Sequence, residues 1–248
     1  MLVLAVDTAT PAVTSGLVRL GGDGVWPETL AARVTENPRA HAEDLTPQIL
    51  ECLAEAGHTP AELDAIVVGV GPGPFTGLRV GMVTAAAFGD ALGVPVYGVC
   101  TLDAIAADAR RPDADADGGD LLVVTDARRR EIYWARYKQD QRVEGPEVRK
   151  PAEVTAAPSV RVAGSASHTA LFDLPVVDVQ SPSPAGLSRS RRRRFGPVRT
   201  RNRWFRCTCA GPMRWRLRTG EHDPHDDRCA DSGRRRAVRR TREDPVSG

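Results

Sequence analysis

Apolar positions follow two rhythms along the first three quarters of this chain. Leu2 to Val6 is a short, unbroken apolar run, the pattern of a strand buried on both faces. Val13 to Leu20 and Val25 to Val34 follow, separated by Gly21-Gly22-Asp23-Gly24, and predict an antiparallel meander. From His41 the period lengthens. Leu45, Ile49, Cys52, Leu53 and Ala56 fall on one helical face, and Gly57 is a stop signal. Ala65 to Val70 is a fully apolar strand that runs into Gly71-Pro72-Gly73-Pro74. The spacing then predicts a helix from about Thr76 to Leu92 ending at Gly93, a strand over Val94 to Val99, and a helix from about Leu102 to Ala109.

After the acidic, Ala/Gly-rich stretch Pro112 to Gly119, which reads as a loop, strand rhythm returns. Leu121 to Thr125, Glu131 to Tyr137 and roughly Arg142 to Arg149 are the predicted strands, with Arg161 to Gly164 as a further one. The order βββαβαβ followed by a second strand set predicts two α/β lobes. The lobes divide at 1–100 and 101–187. From about Ser188 the rhythm stops. Arginine makes up about a third of 188–248 and apolar residues are sparse, a composition expected to stay disordered.

Charge separates the same parts. Residues 1–187 carry 15 Lys+Arg against 25 Asp+Glu, whereas 188–248 carry 19 Arg, no Lys and 7 Asp+Glu. The N-terminal MLVLAVDTAT lacks a basic leader region, and Asp7 interrupts its apolar stretch, so no signal peptide is expected. No apolar run reaches membrane-spanning length. Cys52 and Cys100 are the only cysteines of the first 187 residues and neither has a near neighbour. A disulfide framework is not indicated, and a cytoplasmic location is expected.

Three segments resemble the TsaB (YeaZ) family: AVDTAT at Ala5 to Thr10, the long GVGPGPFTGLRVGMVTAAAFGDALGVPVYGVCTLDAIA at Gly69 to Ala106, and TDARRREIYWARY at Thr125 to Tyr137. Together they cover about half the chain in family order. The resemblance implies a two-lobed actin-like (ASKHA, ribonuclease H-like) α/β fold. It also implies a non-catalytic scaffold and activating subunit, without a cofactor of its own. Its partners would be the catalytic TsaD subunit and the TsaE ATPase, which together form N6-threonylcarbamoyladenosine at position 37 of tRNA. The family also implies a homodimer when TsaD is absent, and contact with tRNA only through the complex.

The middle segment has its own physics. Gly77, Gly81, Ala85, Gly89 and Gly93 recur every four residues, which on a helix makes one stripe of small side chains. Glycine inside a helix costs about 1 kcal/mol relative to alanine, so a repeated series implies close approach of other atoms. Those atoms belong either to this chain's own sheet or first helix, or to another subunit. The resemblance favours the second, because helices equivalent to His41–Ala56 and Thr76–Leu92 pair with TsaD or a second TsaB. Leu45, Ile49, Leu53, Gly77, Gly81, Met82 and Ala85 are the partner contacts it implies.

Other motifs carry weaker chemistry. Asp7, Thr8 and Thr10 stand where actin-fold kinases hold phosphate and Mg²⁺. A hairpin Asp and Thr bonding nearby backbone is the simpler reading. Only Gly164-Ser165-Ala166-Ser167 offers a matching loop in the second lobe. Gly71-Pro72-Gly73-Pro74-Phe75-Thr76-Gly77 lacks the Gly-Lys-Ser/Thr of a P-loop and has two prolines without N–H donors, so a structural turn capped by Thr76 is expected. His41 has Leu45 four residues on, so the paired-histidine metal site of the catalytic relative is missing. An actin-fold enzyme, metallopeptidase-like or an ATP-dependent kinase, is the alternative. Asp126, Arg128, Arg129, Arg130 and Glu131 form a charged turn, either a solvated hairpin or a contact for tRNA phosphate.

Cys207, Cys209, His222, His225 and Cys229 match no usual zinc spacing. The arginine runs suggest RNA binding, but the reading frame offers another account. Written in G/C-rich codons, Trp204 to Trp215 read from the third base gives a Pro-Leu-Tyr-Leu-Arg segment, like that near the C-terminus of the resembled family. The Ser188-to-Arg194 run becomes Ala/Val-rich in the same frame. A frame shift near Leu187–Ser188 is therefore expected.

Overall fold

The computed structural model describes residues 1–22, 25–36, 41–110 and 119–192, with the side chains of 41, 42, 191 and 192 outside that set. The calls made on 193–248, on most of the 112–119 loop and on the tip of the 21–24 turn lie outside the described residues.

The first sheet is built from β1 (Leu2–Asp7), β2 (Ala12–Arg19), β3 (Glu28–Glu36), β4 (Ala65–Gly69) and β5 (Val96–Val99), in the order β3-β2-β1-β4-β5. β1 pairs antiparallel with β2 and parallel with β4. All six residues of β1 are buried, as its unbroken apolar run predicts. Helices α1 (His41–Glu55) and α2 (Phe75–Leu92) cover one face, where Leu4, Val6, Leu17, Leu45, Ile49, Leu53 and Ala85 form one cluster. The expected stops hold: Gly57 and Gly93 both take positive φ, 69 and 68. The expected Thr76 cap does not. α2 starts at Phe75 with Pro74 at the cap position and no side-chain cap bond.

The second sheet contains β6 (Asp120–Asp126), β7 (Ile132–Lys138), β8 (Gln141–Arg149), β9 (Ser159–Gly164) and β10 (Val176–Val177), in the order β10-β9-β6-β7-β8. β6 pairs antiparallel with β7 and parallel with β9. Counted from its own first strand, each sheet therefore has the order 3-2-1-4-5 with the same strand directions. The fold is one α/β topology used twice.

Helix α3 (Thr101–Asp108) joins the lobes. Leu102, Ile105 and Ala106 pack on the second sheet beside Leu121, Val123 and Tyr137, while Ala104 turns to the first. The short helix α4 (Ala166–Thr169) follows β9. Helix α5 (Pro184–Arg192) returns to the first sheet, and Leu187 is buried among Val3, Ala5, Val18, Val67 and Val99. Order thus continues past the Ser188 boundary read from composition, and the closing helix serves the first lobe instead of the second. Ser183 caps α5 by accepting from the Gly186 N–H at 3.0 Å, and Asp108 accepts from both the Ser183 N–H and hydroxyl at 2.6 Å. That carboxylate anchors α5 to the end of α3.

Candidate functional site

The ends of β1 and β4 meet the starts of α2 and α3, which is where ligands bind in open α/β sheets. In this chain the space is filled by protein. Asp7 is fully buried. Its Oδ1 accepts from the Ala9 N–H at 2.8 Å and its Oδ2 from the Thr101 hydroxyl at 2.7 Å. Gly69 lies against it: a Cβ there would stand 1.7 Å from Oδ2. Burial outweighs these hydrogen bonds and pushes the Asp7 carboxyl from 3.8 up to about 6. Thr10 accepts from the Ala12 N–H at 3.3 Å. The Ala9 and Ala12 bonds are the nearby backbone contacts of the simpler sequence reading, whereas the Thr101 bond ties Asp7 to the start of α3.

Thr8 explains the first half of the glycine stripe. Its hydroxyl donates to the Gly77 carbonyl at 2.7 Å and accepts from the Gly81 N–H at 3.0 Å. Residues 77 and 81 are one helical turn apart, so a side chain from the loop after β1 inserts into the α2 hydrogen-bond ladder. A Cβ on Gly81 would sit 2.4 Å from Thr8 Oγ1. Further along, a Cβ on Gly89 would sit 2.2 Å from Val96 Cγ2. Gly81 and Gly89 therefore pack against this chain's own first hairpin and β5, while a Cβ on Gly93 would meet nothing. The Gly71–Pro74 turn is closed in the same manner, because a Cβ on Gly73 would meet the Ala9 carbonyl oxygen at 2.1 Å.

The structure places the residues read as partner contacts accordingly. Leu45, Ile49, Leu53, Gly77, Gly81 and Ala85 are buried beneath α1 and α2, and Met82 is half-buried against the same cluster. The outward faces carry other residues. Leu50 on α1 is 50% exposed and Val83 on α2 is 66% exposed. Ala54 and Ala87, one turn further along each helix, are exposed too. Sequence reasoning passed over these four because it sought contacts within the small-residue and apolar stripes; the exposed side of α2 is itself largely small or apolar, with Phe75, Val83, Ala87 and Ala91 beside Thr76, Arg79 and Asp90.

In the second lobe the equivalent of the Asp7 hairpin is the β6–β7 turn. Arg128, Arg129 and Arg130 all have positive φ, at 63, 51 and 64. The Glu131 N–H donates to the Arg128 carbonyl at 2.9 Å, so Arg129 and Arg130 occupy the centre of a four-residue turn with the φ signs of type I′. Non-glycine residues held there cost on the order of 1–3 kcal/mol each. Asp126, at the root, accepts from the Arg128 N–H at 2.9 Å and lies 3.6 Å from His168 Nε2. His168 Nδ1 is 3.0 Å from Ser167 Oγ and 3.3 Å from Ser165 Oγ. Gly164 has φ 121, and a Cβ there would collide with the Val124 carbonyl, which accepts the Ser165 N–H. The segment read as a second phosphate loop is thus a tight turn into α4. Among the described residues no three His, Cys, Asp or Glu side chains gather as a metal-binding group, and no helix is long and apolar enough to cross a membrane.

The doubled 3-2-1-4-5 topology defines the class: a two-lobed, actin-like α/β protein. Comparison with known proteins narrows it. The family profile described as TsaD, tRNA N6-adenosine threonylcarbamoyltransferase, matches residues 19–192, more than half of the chain. An uncharacterised protein of Mycobacterium tuberculosis is 58% identical over 185 residues, 75% of this chain and 82% of that one. TsaB of Escherichia coli, a tRNA threonylcarbamoyladenosine biosynthesis protein, is 35% identical over 141 residues, 57% of each chain. Among solved structures, YeaZ from Pseudomonas aeruginosa superimposes with a TM-score of 0.62 at 26% identity, covering 77% of this chain and 91% of that one. The chain belongs to the TsaB/YeaZ family.

Proposed function

We propose that this chain serves the formation of threonylcarbamoyladenosine in tRNA as a non-catalytic, activating subunit, paired with the TsaD transferase and completed by the TsaE ATPase. The observation that carries this reading is the outer face of α1 and α2. Leu50 and Val83 are exposed there, with Ala54 and Ala87 beside them, on two helices that pack together. Small and branched apolar residues on adjacent helices fit a helix–helix interface. Leu45, Ile49, Leu53, Gly77, Gly81 and Ala85 hold that face in place from beneath, and Met82 lies at its margin. The same surface serves a second copy of the chain when TsaD is absent.

The kinase-like alternative needs a carboxylate free to hold metal and phosphate. Asp7 is instead enclosed, with its two carboxylate oxygens already accepting from Ala9 and Thr101, which favours the scaffold. Mixing the chain with TsaD should yield a defined heterodimer and a tRNA-modifying activity that neither protein shows alone. Nucleotide turnover by this chain alone, with no gain on adding TsaD, would contradict the proposal.

A further inference from the structure

The β6–β7 turn holds three consecutive arginines in a backbone conformation that arginine disfavours. Type I′ turns select Asn-Gly or Gly-Gly because both central residues need positive φ. Here the centre is Arg129-Arg130, preceded by Arg128 in the same left-handed region. All three side chains are exposed. None forms an ion pair with a carboxylate among the described residues. Elsewhere in the same sheet arginines are engaged. Arg136 is buried and donates to Glu144 and to the carbonyls of Thr155 and Ala156, and Arg142 pairs with Asp103 at 2.9 Å. The turn therefore presents three guanidinium groups to solvent from a short hairpin fixed by the Ala127–Glu131 and Arg128–Glu131 backbone bonds. Of the two flanking acids, Asp126 is directed at the Arg128 N–H and at His168.

Exposed arginine forks on a rigid turn match the phosphate oxygens of a polyanion. We infer that residues 128–130 form a docking point for the RNA backbone. The inference rests on the proposed role in tRNA modification and adds the surface by which this subunit touches the RNA. Contacts of this kind position the substrate without reading its sequence. They also give the strained turn a use, since a relaxed Asn-Gly turn would lack the charges.

The double substitution Arg129→Asn with Arg130→Gly separates charge from fold. It keeps the turn type, relieves the backbone and removes two guanidinium groups. The expected result is a melting temperature raised by about 4 °C, unaltered co-elution with TsaD, and about tenfold weaker binding of an unmodified tRNA transcript. The slope of log affinity against log salt should shrink by roughly 1.5, the value of two lost phosphate contacts. Equal affinity and equal slope in the variant would overturn the inference. The titration is run on the TsaD complex and on the full chain alone. A wild-type chain that fails to pair with TsaD sinks the proposed function, while a complex that forms and binds the transcript with unaltered affinity and slope after the double substitution sinks only this surface.

Discussion

Substituting Gly81 by alanine tests how α2 is seated. The new methyl would stand 2.4 Å from Thr8 Oγ1, well inside contact distance. Thr8 is buried, and its hydroxyl both donates to Gly77 and accepts from Gly81. Overpacking of a core site costs about 1–3 kcal/mol. Losing two buried hydrogen bonds adds about 1 kcal/mol each. Alanine's better helix propensity returns about 1 kcal/mol. The net expectation is about 3 kcal/mol of destabilisation. For a chain of this size, with a urea m-value of about 3 kcal/mol/M, that lowers the unfolding midpoint by about 1 M. Thr8→Ala in the same background removes the clashing oxygen and leaves only the Thr8 Cβ at 3.5 Å, an ordinary contact. The two substitutions should therefore be less costly together than their sum, by about 1–3 kcal/mol. A neutral or stabilised Gly81→Ala protein, or strict additivity with Thr8→Ala, would refute the intrachain seat of the glycine stripe.

Two further outcomes follow from buried carboxylates. The folded chain holds a proton on Asp7 more readily than the unfolded chain does, because burial raises its carboxyl from 3.8 to about 6. Its contribution to stability is therefore full below about pH 4 and is lost as the pH rises through 6. Urea titrations of wild type and Asp7→Asn should show a difference that falls by about 2 kcal/mol between pH 4 and 7; a flat difference would contradict the burial argument. Asp108→Ala removes the acceptor for both Ser183 bonds, so α5 should lose about 2 kcal/mol of anchorage. Limited proteolysis should then cut near residues 184–192 sooner than in wild type.

How much of this was legible beforehand depended on burial. β1, β4 and the helices α1, α2 and α3 were readable because each buries a continuous run or a stripe at helical period. Their boundaries fell within a few residues of Leu2–Asp7, Ala65–Gly69 and Phe75–Leu92. β10 has only two residues, and α4 only four, too short for any period to show. α5 was hidden because its inner face carries Ser188 and Ser190, both buried. These serines satisfy their hydroxyls on the Pro184 and Asp103 carbonyls at 2.8 and 3.1 Å, so a polar sequence packs as a helix. The family match runs to residue 192, past the frame shift expected near Leu187–Ser188; the DNA sequence of that stretch decides that expectation.

The helices of the proposed partner surface were legible; the residues proposed for contact were not. The helices were identified from their pattern and resemblance, but a stripe at helical period shows which face is buried without saying by what. Leu45, Ile49 and Leu53 satisfy that pattern by packing on the sheet of their own chain. The residues left for a partner are those on the opposite face.

The pairing itself is tested most directly by size-exclusion chromatography with light scattering on the full chain mixed with TsaD, as wild type and as Val83→Glu. Val83 is 66% exposed, so the glutamate should leave the fold and its urea midpoint unchanged. The account predicts that wild type elutes as a defined heterodimer and that Val83→Glu elutes apart from TsaD. Pairing by the variant as complete as that of wild type, or no pairing by either, would contradict it.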